Sequence, residues 1–327
     1  MDAGGAVPGD EWLPVTVSAV IQAVRHTRIL DLVPVAGVLP DFEPGGHVAL
    51  RCGDVVRHYS LFGPRTQPAA YRIAVKLEDE GRGGSRWLFE HAVVGARLEI
   101  SRPRNNFPLV RGRPRYAFIA GGIGVTPILS MLEALREAGV QARCVYLCRS
   151  PEDFAFAERL EAERAHHDLH LHHDSTSGIY DIEAELRRHD DSTEIYCCGP
   201  MPLMDVVRRY ADSDGRAERF HFEFFSASPV EEARAAAVES EFEILAQRLG
   251  RVISVRSDQS MLDALRAAGI AIESECEEGV CGTCIVDVLA GEPDHRDYAL
   301  TRAERESGKR IATCVSRSRT PQIVLDV

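Results

Sequence analysis

The spacing of four cysteines constrains the fold of this chain more than any other feature. Cys276, Cys281 and Cys284 lie within the stretch CEEGVCGTC, and Cys314 follows thirty positions later in IATCVS. The resulting pattern, C-x4-C-x2-C-x29-C, matches the plant-type arrangement around a [2Fe–2S] cluster, in which a short loop wraps one side and a distant cysteine closes the other. These four cysteines are therefore predicted to be cluster ligands.

Other uses of the same cysteines fit the pattern less well. Zinc ribbons prefer two CxxC pairs, whereas this segment has one, Cys281 with Cys284. A thioredoxin-like CxxC would leave the other two cysteines without a role. Gly279 and Gly282 permit unusual backbone angles and N–H groups that point toward sulfur. Zinc remains the alternative to the cluster.

The overall composition narrows the class of protein. The chain has 327 residues, 45% of them hydrophobic, and a formal net charge of -12. Length and apolar content suggest two or three domains, and the negative charge argues against nucleic acid or an anionic membrane as partner. The N-terminal stretch lacks the features of a signal peptide, and the longest apolar run, residues 116–132, is broken by glycines and a proline. A cytoplasmic location is expected, where disulfides are disfavoured.

The pattern of apolar residues changes twice along the chain. Short alternating segments with Gly and Pro turns run to about residue 111 and predict an antiparallel β-barrel or sandwich, residues 1–111. Buried strand runs then alternate with amphipathic helices and predict an α/β domain with a parallel sheet, residues 112–225. Residues 226–240 are interpreted as a linker. Residues 241–327 are predicted to form a small α+β domain that contains the four cysteines.

Two junctions between a strand and a helix indicate a nucleotide site. AGGIGVTPILSM, residues 120–131, places glycines after a buried strand, and YCCGPMPLM, residues 196–204, repeats the arrangement with Gly-Pro. Glycines there allow close approach of a pyrophosphate, and the helix start favours negative charge. Because strand carboxyl ends share one edge of a parallel sheet, the two loops are predicted to flank one nicotinamide nucleotide crevice, with Cys198 at its mouth. A tight turn without a ligand is the alternative.

A third feature lies in the predicted barrel. RHYSLF, residues 57–62, offers a cation, an aromatic face and a hydroxyl on one strand, and GRGGS, residues 81–85, offers flexible backbone N–H groups and a hydroxyl. Together these segments suit a flavin phosphate and ring. Taken singly, they are equally compatible with a half-exposed strand and a flexible turn.

The three features in this order resemble the ferredoxin–NADP reductase superfamily. With a ferredoxin-like domain at the C-terminus, the chain is most similar to the phthalate dioxygenase reductase family, over residues 14–327. Further matching segments are PRNNFPL, HFEFF and GEPDHRDYAL. The resemblance implies a flavin-binding β-barrel, an NAD-binding α/β domain, a linker and a β-grasp ferredoxin domain within the boundaries given above.

The resemblance also implies roles for individual residues at the flavin. Arg57 would meet the flavin phosphate, Tyr59 would pack on the isoalloxazine, and the Ser60 hydroxyl would approach its N5 edge. Phe225 would lie against the ring where the nicotinamide enters, which makes Ser60 and Phe225 the implied catalytic residues. The family implies FMN, although the residues alone do not exclude FAD. The other implied flavin-binding residues are His58, Ala74, Val75, Lys76, Gly84 and Ser85.

The nicotinamide nucleotide is expected to be NADH. Asp174, at the end of the strand DLHLHHD, can accept a hydrogen bond from an adenosine ribose hydroxyl and repel a 2′-phosphate. Arg149, at the end of the preceding strand, could instead bind that phosphate through its positive charge. The family favours NADH. The histidine-rich stretch around Asp174 is interpreted as a helix end and a strand rather than a metal site. The other residues implied to bind the nucleotide are Gly121, Gly122, Thr126, Cys198, Gly199, Pro200 and Met201.

These assignments imply an NADH-dependent reductase that passes electrons through FMN and a [2Fe–2S] cluster to a partner. NADH gives two electrons together and the cluster accepts one at a time, so a flavin must stand between them. The implied partner is the terminal component of a Rieske-type oxygenase or demethylase, with a cytochrome P450 as the alternative. Docking of a monomer is expected to be transient and close to the cluster.

Two further alternatives belong to different classes. One is a regulatory module that binds structural zinc and a nucleotide, and the other is a flavin-dependent oxidase that delivers electrons to oxygen. Acidic residues around the first cysteines could steer a basic face of the acceptor, or could reflect the general acidity of the chain. Those residues are Glu273, Glu275, Glu277 and Glu278.

Overall fold

The computed structural model describes residues 11–78, 83–215, 217–225 and 240–327. These residues belong to two compact units, Met1–Glu223 and Phe224–Val327. The predicted linker, 226–240, lies outside the described residues except for Ser240. Within the described part of the chain, no helix is long and apolar enough to cross a bilayer.

The first unit begins with a six-stranded antiparallel sheet in the order β4-β3-β6-β1-β2-β5. An antiparallel bridge between Phe62 and Arg72 joins the region of the two edge strands, β4 and β5, so the sheet closes on itself as a barrel. The elements are β1 (Trp12–Val24), β2 (Thr27–Pro34), β3 (His47–Cys52), β4 (Val55–Ser60), β5 (Tyr71–Lys76), α1 (Gly84–His91) and β6 (Arg97–Ser101).

Alternation along the barrel strands explains this closure. Val15 and Val17 on β1, and Leu30 and Leu32 on β2, are at most 2% exposed, and the residues between them are more exposed. Side chains of a strand alternate between faces, so each strand contributes one face to a common core. The predicted antiparallel barrel is confirmed.

The second sheet of the first unit is parallel throughout, in the order β11-β10-β7-β8-β9. The carboxyl ends of β7 and β10 are therefore neighbours, which positions the predicted nucleotide loops. The α/β prediction is confirmed. The elements are β7 (Arg115–Gly121), α2 (Val125–Glu137), β8 (Arg143–Cys148), α3 (Ala157–Glu163), β9 (Asp168–His173), α4 (Asp174–Ser177), α5 (Ile182–Leu186), β10 (Thr193–Cys198), α6 (Met201–Asp214) and β11 (Phe220–Glu223).

The barrel and the parallel sheet are joined by apolar contacts and by a hydrogen bond. Phe62, which follows β4, meets Phe156 edge to face with ring centroids 5.4 Å apart. The Gly45 backbone N–H donates to Ser130 Oγ of α2 at 2.9 Å. Phe62 also belongs to the core of the parallel sheet. Burial across this boundary makes one compact unit of the two sheets.

The second unit is a five-stranded mixed sheet in the order β13-β12-β18-β14-β16, with a small pair, β15 and β17. The predicted hairpin is formed by β12 and β13, and the C-terminal strand β18 pairs parallel to β12, which is a β-grasp arrangement. The elements are β12 (Phe242–Ala246), β13 (Arg251–Val255), α7 (Met261–Ala267), β14 (Ile285–Ala290), β15 (Pro293–Asp294), α8 (Arg302–Ser307), β16 (Arg310–Ala312), β17 (Arg317–Ser318) and β18 (Gln322–Leu325).

Candidate functional site

The four predicted cluster ligands come together in the second unit. Cys284 Sγ lies 3.2 Å from Cys314 Sγ, and Cys276 Sγ accepts hydrogen bonds from the backbone N–H groups of Glu278 and Cys281 at 3.3 and 3.4 Å. Cys284 and Cys314 are buried, whereas Cys276 and Cys281 are half-buried. The loop side of the site therefore faces solvent more than the Cys314 side does.

The four thiols lie close enough to shift one another's pKa values. The hydrogen bond from Cys276 lowers the pKa of Cys281 to about 5, and the hydrogen bond from Cys314 lowers that of Cys284 to about 7. The pKa of Cys314 is raised by its hydrogen bond to Cys284 and by burial, and further by the charges of Cys284 and Cys276. The pKa of Cys276 is raised as well, first by its hydrogen bond to Cys281 and then by burial, so one thiol of each close pair favours the thiolate form that a metal binds.

Gly279 shapes the cysteine loop. Its φ is +73°, and a Cβ at this position would lie 2.6 Å from Val315 Cγ2 and 3.1 Å from Asp297 Cα. Its carbonyl accepts hydrogen bonds from the backbone N–H groups of Tyr298 and Ala299 at 2.8 and 3.1 Å. Only glycine satisfies both the backbone conformation and the close packing.

Asp297 is a residue of this site that sequence reasoning missed. The residue is fully buried, and its carboxylate accepts hydrogen bonds from the Leu300 backbone N–H at 2.8 Å and from Ser316 Oγ at 3.3 Å. It thus holds the turn that supports Gly279. The segment GEPDHRDYAL contributed to the family resemblance, but nothing in its local pattern indicated that this carboxylate is buried.

The two glycine loops of the first unit meet at one crevice. Ala120 on β7 pairs with Cys198 on β10, and the chains leave these strands side by side. A Cβ on Gly121 would lie 2.5 Å from Pro200 Cδ, and one on Gly199 would lie 3.0 Å from Gly121 Cα. Gly121 and Gly199 have no room for a side chain, so the two loops pack backbone against backbone at these positions.

The start of α2 is suited to an anion. Gly122 has φ +53°, and Thr126 is buried with Oγ1 donating to the Ile123 carbonyl at 2.9 Å. The first turn of this 13-residue helix contains no acidic residue. Unpaired N–H groups and the helix dipole favour negative charge at such an end. The Thr126 hydroxyl serves the turn itself, and the Val125 backbone N–H donates to the carbonyls of Gly122 and Ile123 within the same turn.

The expectation that Cys198 stands at the mouth of the crevice is wrong for its side chain. Cys198 is 0% exposed and belongs to the core of the parallel sheet. Burial raises the pKa of its thiol well above the usual range. Its backbone carbonyl instead reaches the glycine loop, because a Cβ on Gly124 would lie 2.3 Å from that oxygen. The thiol is therefore unsuited to nucleophilic attack.

The predicted phosphate end of the flavin site is assembled around the start of α1. A Cβ on Gly84 would lie 2.6 Å from Arg57 Cγ, so the arginine side chain crosses directly over the first helical residue. Gly83 takes φ +85° before the helix, and the first turn has no acidic residue. Ser85 Oγ accepts a hydrogen bond from the Glu78 backbone N–H at 3.1 Å. A guanidinium beside a helix N-terminus suits a phosphate.

The other predicted flavin contacts lie on adjoining strands. Tyr59 packs against the barrel core, and burial raises the pKa of its hydroxyl far above the usual range. His58 meets His47 with ring centroids 5.4 Å apart. On β5, Ala74 and Val75 are buried, whereas Lys76 is exposed and pairs with Glu78 at 2.8 Å.

Ser60 has a partner that sequence reasoning also missed. Ser60, at the end of β4, is 6% exposed, and its Oγ donates toward Glu223 Oε2 at 3.4 Å. Glu223 is the last residue of β11. After burial, its negative charge is the next cause of the raised pKa of the Cys198 thiol on the neighbouring strand. The hydroxyl and the carboxylate thus lie between the barrel and the carboxyl edge of the parallel sheet. They are 163 positions apart in sequence, so no local signal could have joined them.

Asp174 lies where β9 ends and α4 begins, with 44% of its side chain exposed. Arg149 follows the neighbouring strand β8, and its carbonyl accepts a hydrogen bond from the Ser175 backbone N–H at 2.9 Å. Both predicted determinants of nucleotide choice therefore stand at the same edge of the sheet as the glycine loops. Phe225 is 43% exposed and belongs to the second unit, and its place against the flavin stays a prediction.

Comparisons with known proteins agree with this geometry. Two protein-family models match the chain, the oxidoreductase NAD-binding domain over residues 118–209 and the 2Fe-2S iron-sulfur cluster binding domain over residues 244–319. Phthalate dioxygenase reductase from Burkholderia cepacia is 35% identical over 325 residues, which cover 97% of this chain and 98% of that protein. The chain belongs to the phthalate dioxygenase reductase family.

Two solved structures extend the comparison. A phthalate dioxygenase reductase structure, described as modular for electron transfer from pyridine nucleotides to [2Fe–2S], aligns with a TM-score of 0.69 and 34% identity over 97% of this chain and 98% of that one. The cytochrome P450 CYP116B46 from Tepidiphilus thermophilus aligns with a TM-score of 0.84 and 34% identity over the whole of this chain. This chain spans 43% of the length of that P450.

As a member of the phthalate dioxygenase reductase family, the protein is an oxidoreductase whose cofactors are NADH, FMN and a [2Fe–2S] cluster. The residues present fit each group. Four neighbouring thiols at the plant-type spacing match the cluster. The arginine over a helix start matches a flavin phosphate, and two adjacent glycine loops at the ends of parallel strands match a pyrophosphate.

Replacing Arg57 with alanine is expected to weaken FMN binding by about one to two orders of magnitude, because a hydrogen bond to a charged group contributes about 1.5–3 kcal/mol. The dissociation constant is measured from the recovery of flavin fluorescence on dilution. Arg57→Lys, which retains charge but not the planar fork, should lie between the alanine variant and the unmodified protein. Arg97→Ala, on the exposed face of β6, is the control. An unchanged FMN affinity in Arg57→Ala would remove this residue from the flavin site.

Proposed function

We propose that this protein is the reductase of a two-component system and delivers electrons from NADH to a separate Rieske-type oxygenase or demethylase. The observation that carries the proposal is the presence of three candidate sites in one chain: a crevice between two glycine loops, an arginine beside a helix start on the barrel, and a group of four neighbouring thiols. Its near full-length match to a reductase of similar length supports a separate acceptor.

FMN supplies the ability to accept a hydride and to release single electrons, and the protein contributes positioning. Arg57 and the start of α1 would anchor the phosphate end. The loops that contain Gly121 and Gly199 would hold the pyrophosphate and bring the nicotinamide toward Ser60. The Ser60 hydroxyl, donating to Glu223, would present a fixed dipole at the reacting edge. Asp174 would accept from the adenosine ribose.

Domain boundaries at residues 111, 225 and 240 are part of the same proposal, as is the placement of Phe225 against the flavin. We also propose that the protein is a cytoplasmic monomer. The five cysteines outside the cluster set are buried free thiols, which supports a reducing compartment; they are Cys52, Cys144, Cys148, Cys197 and Cys198. Sedimentation of the loaded protein over a range of concentrations tests the monomer.

The acceptor is proposed to dock transiently at the cysteine loop. Cys276 and Cys281 are the less buried ligands, and the side chains of Glu273 and Glu277 beside them are exposed. Acidic groups at this edge would steer a basic face on the acceptor. A cytochrome P450 is the second candidate acceptor, favoured by the similarity to CYP116B46 over the whole of this chain.

Anaerobic titration with NADH is expected to bleach the visible flavin and cluster bands of the purified protein. The reduced protein should then reduce a Rieske-type oxygenase faster than a P450. That rate should fall by about tenfold or more as salt screens the acidic edge. A colourless protein that holds zinc and shows no bleaching would contradict the reductase, whereas faster reduction of the P450 would replace the proposed acceptor.

A further inference from the structure

A buried ionic group lies at the amino-terminal ends of β8 and β9, at the opposite edge of the parallel sheet from the glycine loops. Glu185 on α5 is 2% exposed, and its carboxylate accepts two hydrogen bonds from Arg143 of β8, one of them at 2.9 Å from Nη2 to Oε2. Arg143 Nη1 also pairs with Asp168 at 2.7 Å, and His189 Nε2 lies 3.4 Å from Glu185 Oε1. A carboxylate paired in this way has one fixed position.

Tyr180 connects this group to the segment that follows β9. Its hydroxyl donates to Glu185 Oε2 at 2.7 Å. Its ring lies against two histidines of β9, with centroids 5.2 Å from His170 and 5.0 Å from His172. The position of the Tyr180 ring, and with it the packing of His172, is thereby tied to the buried carboxylate.

His172 in turn contacts both ends of the turn that begins with Asp174. Its Nε2 lies 2.8 Å from the Gly178 carbonyl oxygen and 3.5 Å from Asp174 Oδ1. A carbonyl can only accept, so Nε2 carries the hydrogen and donates it to Gly178, while Asp174 Oδ1 lies near the same nitrogen without a hydrogen bond to it. The Gly178 backbone N–H closes the same turn on the Asp174 carbonyl at 3.0 Å.

Two histidines of this stretch, His167 and His172, have hydrogen-bond partners within the protein. His167 Nε2 lies 3.0 Å from the Leu132 carbonyl, and its Nδ1 accepts from the Ala142 backbone N–H at 3.2 Å. With His172 Nε2 also engaged, these contacts support the interpretation of the stretch as structural rather than metal-binding.

We propose that His172 and Tyr180 are positioning residues that hold the Asp174 carboxylate in the place where it selects NADH over NADPH. The inference rests on the proposed role of Asp174 in the reductase. Asp174 is 44% exposed, whereas the side chain of His172 is only 11% exposed. A solvent-exposed carboxylate on a short turn can rotate away from a 2′-phosphate at little cost. The hydrogen bond from His172 to Gly178 closes the turn on which Asp174 stands, so the carboxylate presents its negative charge and its acceptor oxygens from a fixed backbone, which rejects the phosphate and keeps the ribose hydrogen bond.

The test uses the loaded full-length protein with ferricyanide as electron acceptor, and measures kcat and KM for both NADH and NADPH. His172→Leu is expected to lower the NADH to NADPH ratio of kcat/KM by about tenfold, which corresponds to about 1.4 kcal/mol. The change should lie in KM, with kcat at saturating NADH and the FMN content unchanged. His172→Gln keeps an N–H that can donate to the Gly178 carbonyl and should restore most of the ratio.

Tyr180→Phe removes only the hydroxyl that binds Glu185 and should shift the ratio in the same direction by a smaller factor. His166→Gln, an exposed histidine of the same stretch, is the matched control and should leave both KM values unchanged. An equal rise of KM for both nucleotides in His172→Leu, or no change in either His172→Leu or Tyr180→Phe, would overturn the positioning role.

A further variant separates this inference from the function on which it rests. If Asp174→Asn shifts the ratio and His172→Leu does not, the positioning role fails and the role of Asp174 stands. If Asp174→Asn leaves the ratio unchanged, both fail. Failure of the unmodified protein to reduce ferricyanide with NADH would instead refute the reductase itself.

Discussion

Replacing Cys276 with serine is expected to reduce electron transfer to cytochrome c to the background rate while NADH-dependent ferricyanide reduction persists. Cys276 is one of four neighbouring thiols, and a hydroxyl is a poor ligand for cluster iron. Ferricyanide can take electrons from the flavin, whereas cytochrome c requires the cluster as the single-electron exit. Iron and acid-labile sulfide should fall together in the purified variant.

The matched control for this variant is Cys144→Ala, which removes a thiol buried in the parallel sheet of the first unit. It should lose some stability through the small cavity and keep both electron-transfer activities. Survival of cytochrome c reduction in Cys276→Ser would show that the cluster is not on the path. Zinc in place of iron in the unmodified protein would establish the alternative metal.

Replacing Gly124 with alanine is expected to raise KM for NADH by about one to two orders of magnitude, because small displacements of a binding loop are costly. A Cβ at Gly124 would lie 2.3 Å from the Cys198 carbonyl oxygen and 2.8 Å from the Gly199 backbone nitrogen. The obstacle is backbone rather than a flexible side chain, so one loop must move. The φ of Gly124 is −63°, which any residue adopts, so the effect is purely steric.

Thermal unfolding of Gly124→Ala should show a loss of about 1–3 kcal/mol, the usual cost of overpacking. Gly139→Ala is the control, since this glycine follows the end of α2, has φ +69° and has no atom within 4 Å of the position that a Cβ would take. The control should lose stability through backbone strain and keep its KM for NADH. A normal KM in Gly124→Ala would mean that the crevice between the two loops does not hold the nucleotide.

Local features of the sequence sufficed for the fold class. The alternation of period two in residues 14–111, and the switch to strand–helix alternation after residue 114, predicted the barrel and the parallel sheet that the structure contains. The periodicity of apolar residues and the residue types at turns are properties of short segments, so they are visible in the sequence without knowledge of the tertiary structure. The same holds for the cysteine spacing, because three of the four ligands lie in one loop.

Other parts of the site depend on contacts between distant segments. Burial of the Cys198 thiol follows from the packing of the parallel sheet, whereas its strand-end position suggested an exposed group. Glu223 reaches Ser60 only because β11 lies at one edge of that sheet and the barrel packs against it. Asp297 is an ordinary acidic residue in sequence and becomes a buried acceptor only under the Gly279 loop.

The sequence by itself determined the set of groups this protein contains: four thiols at cluster spacing, two glycine loops after strands, and an arginine and a serine on one barrel strand. Backbone conformation and ligand spacing act within a few residues, which is why these features are visible without a fold. Tertiary structure alone decided which carboxylates join them. Glu223 and Asp297 lie where strand order and burial bring distant residues together, Glu223 with Ser60 and Asp297 with Ser316, and no local pattern encodes those distances.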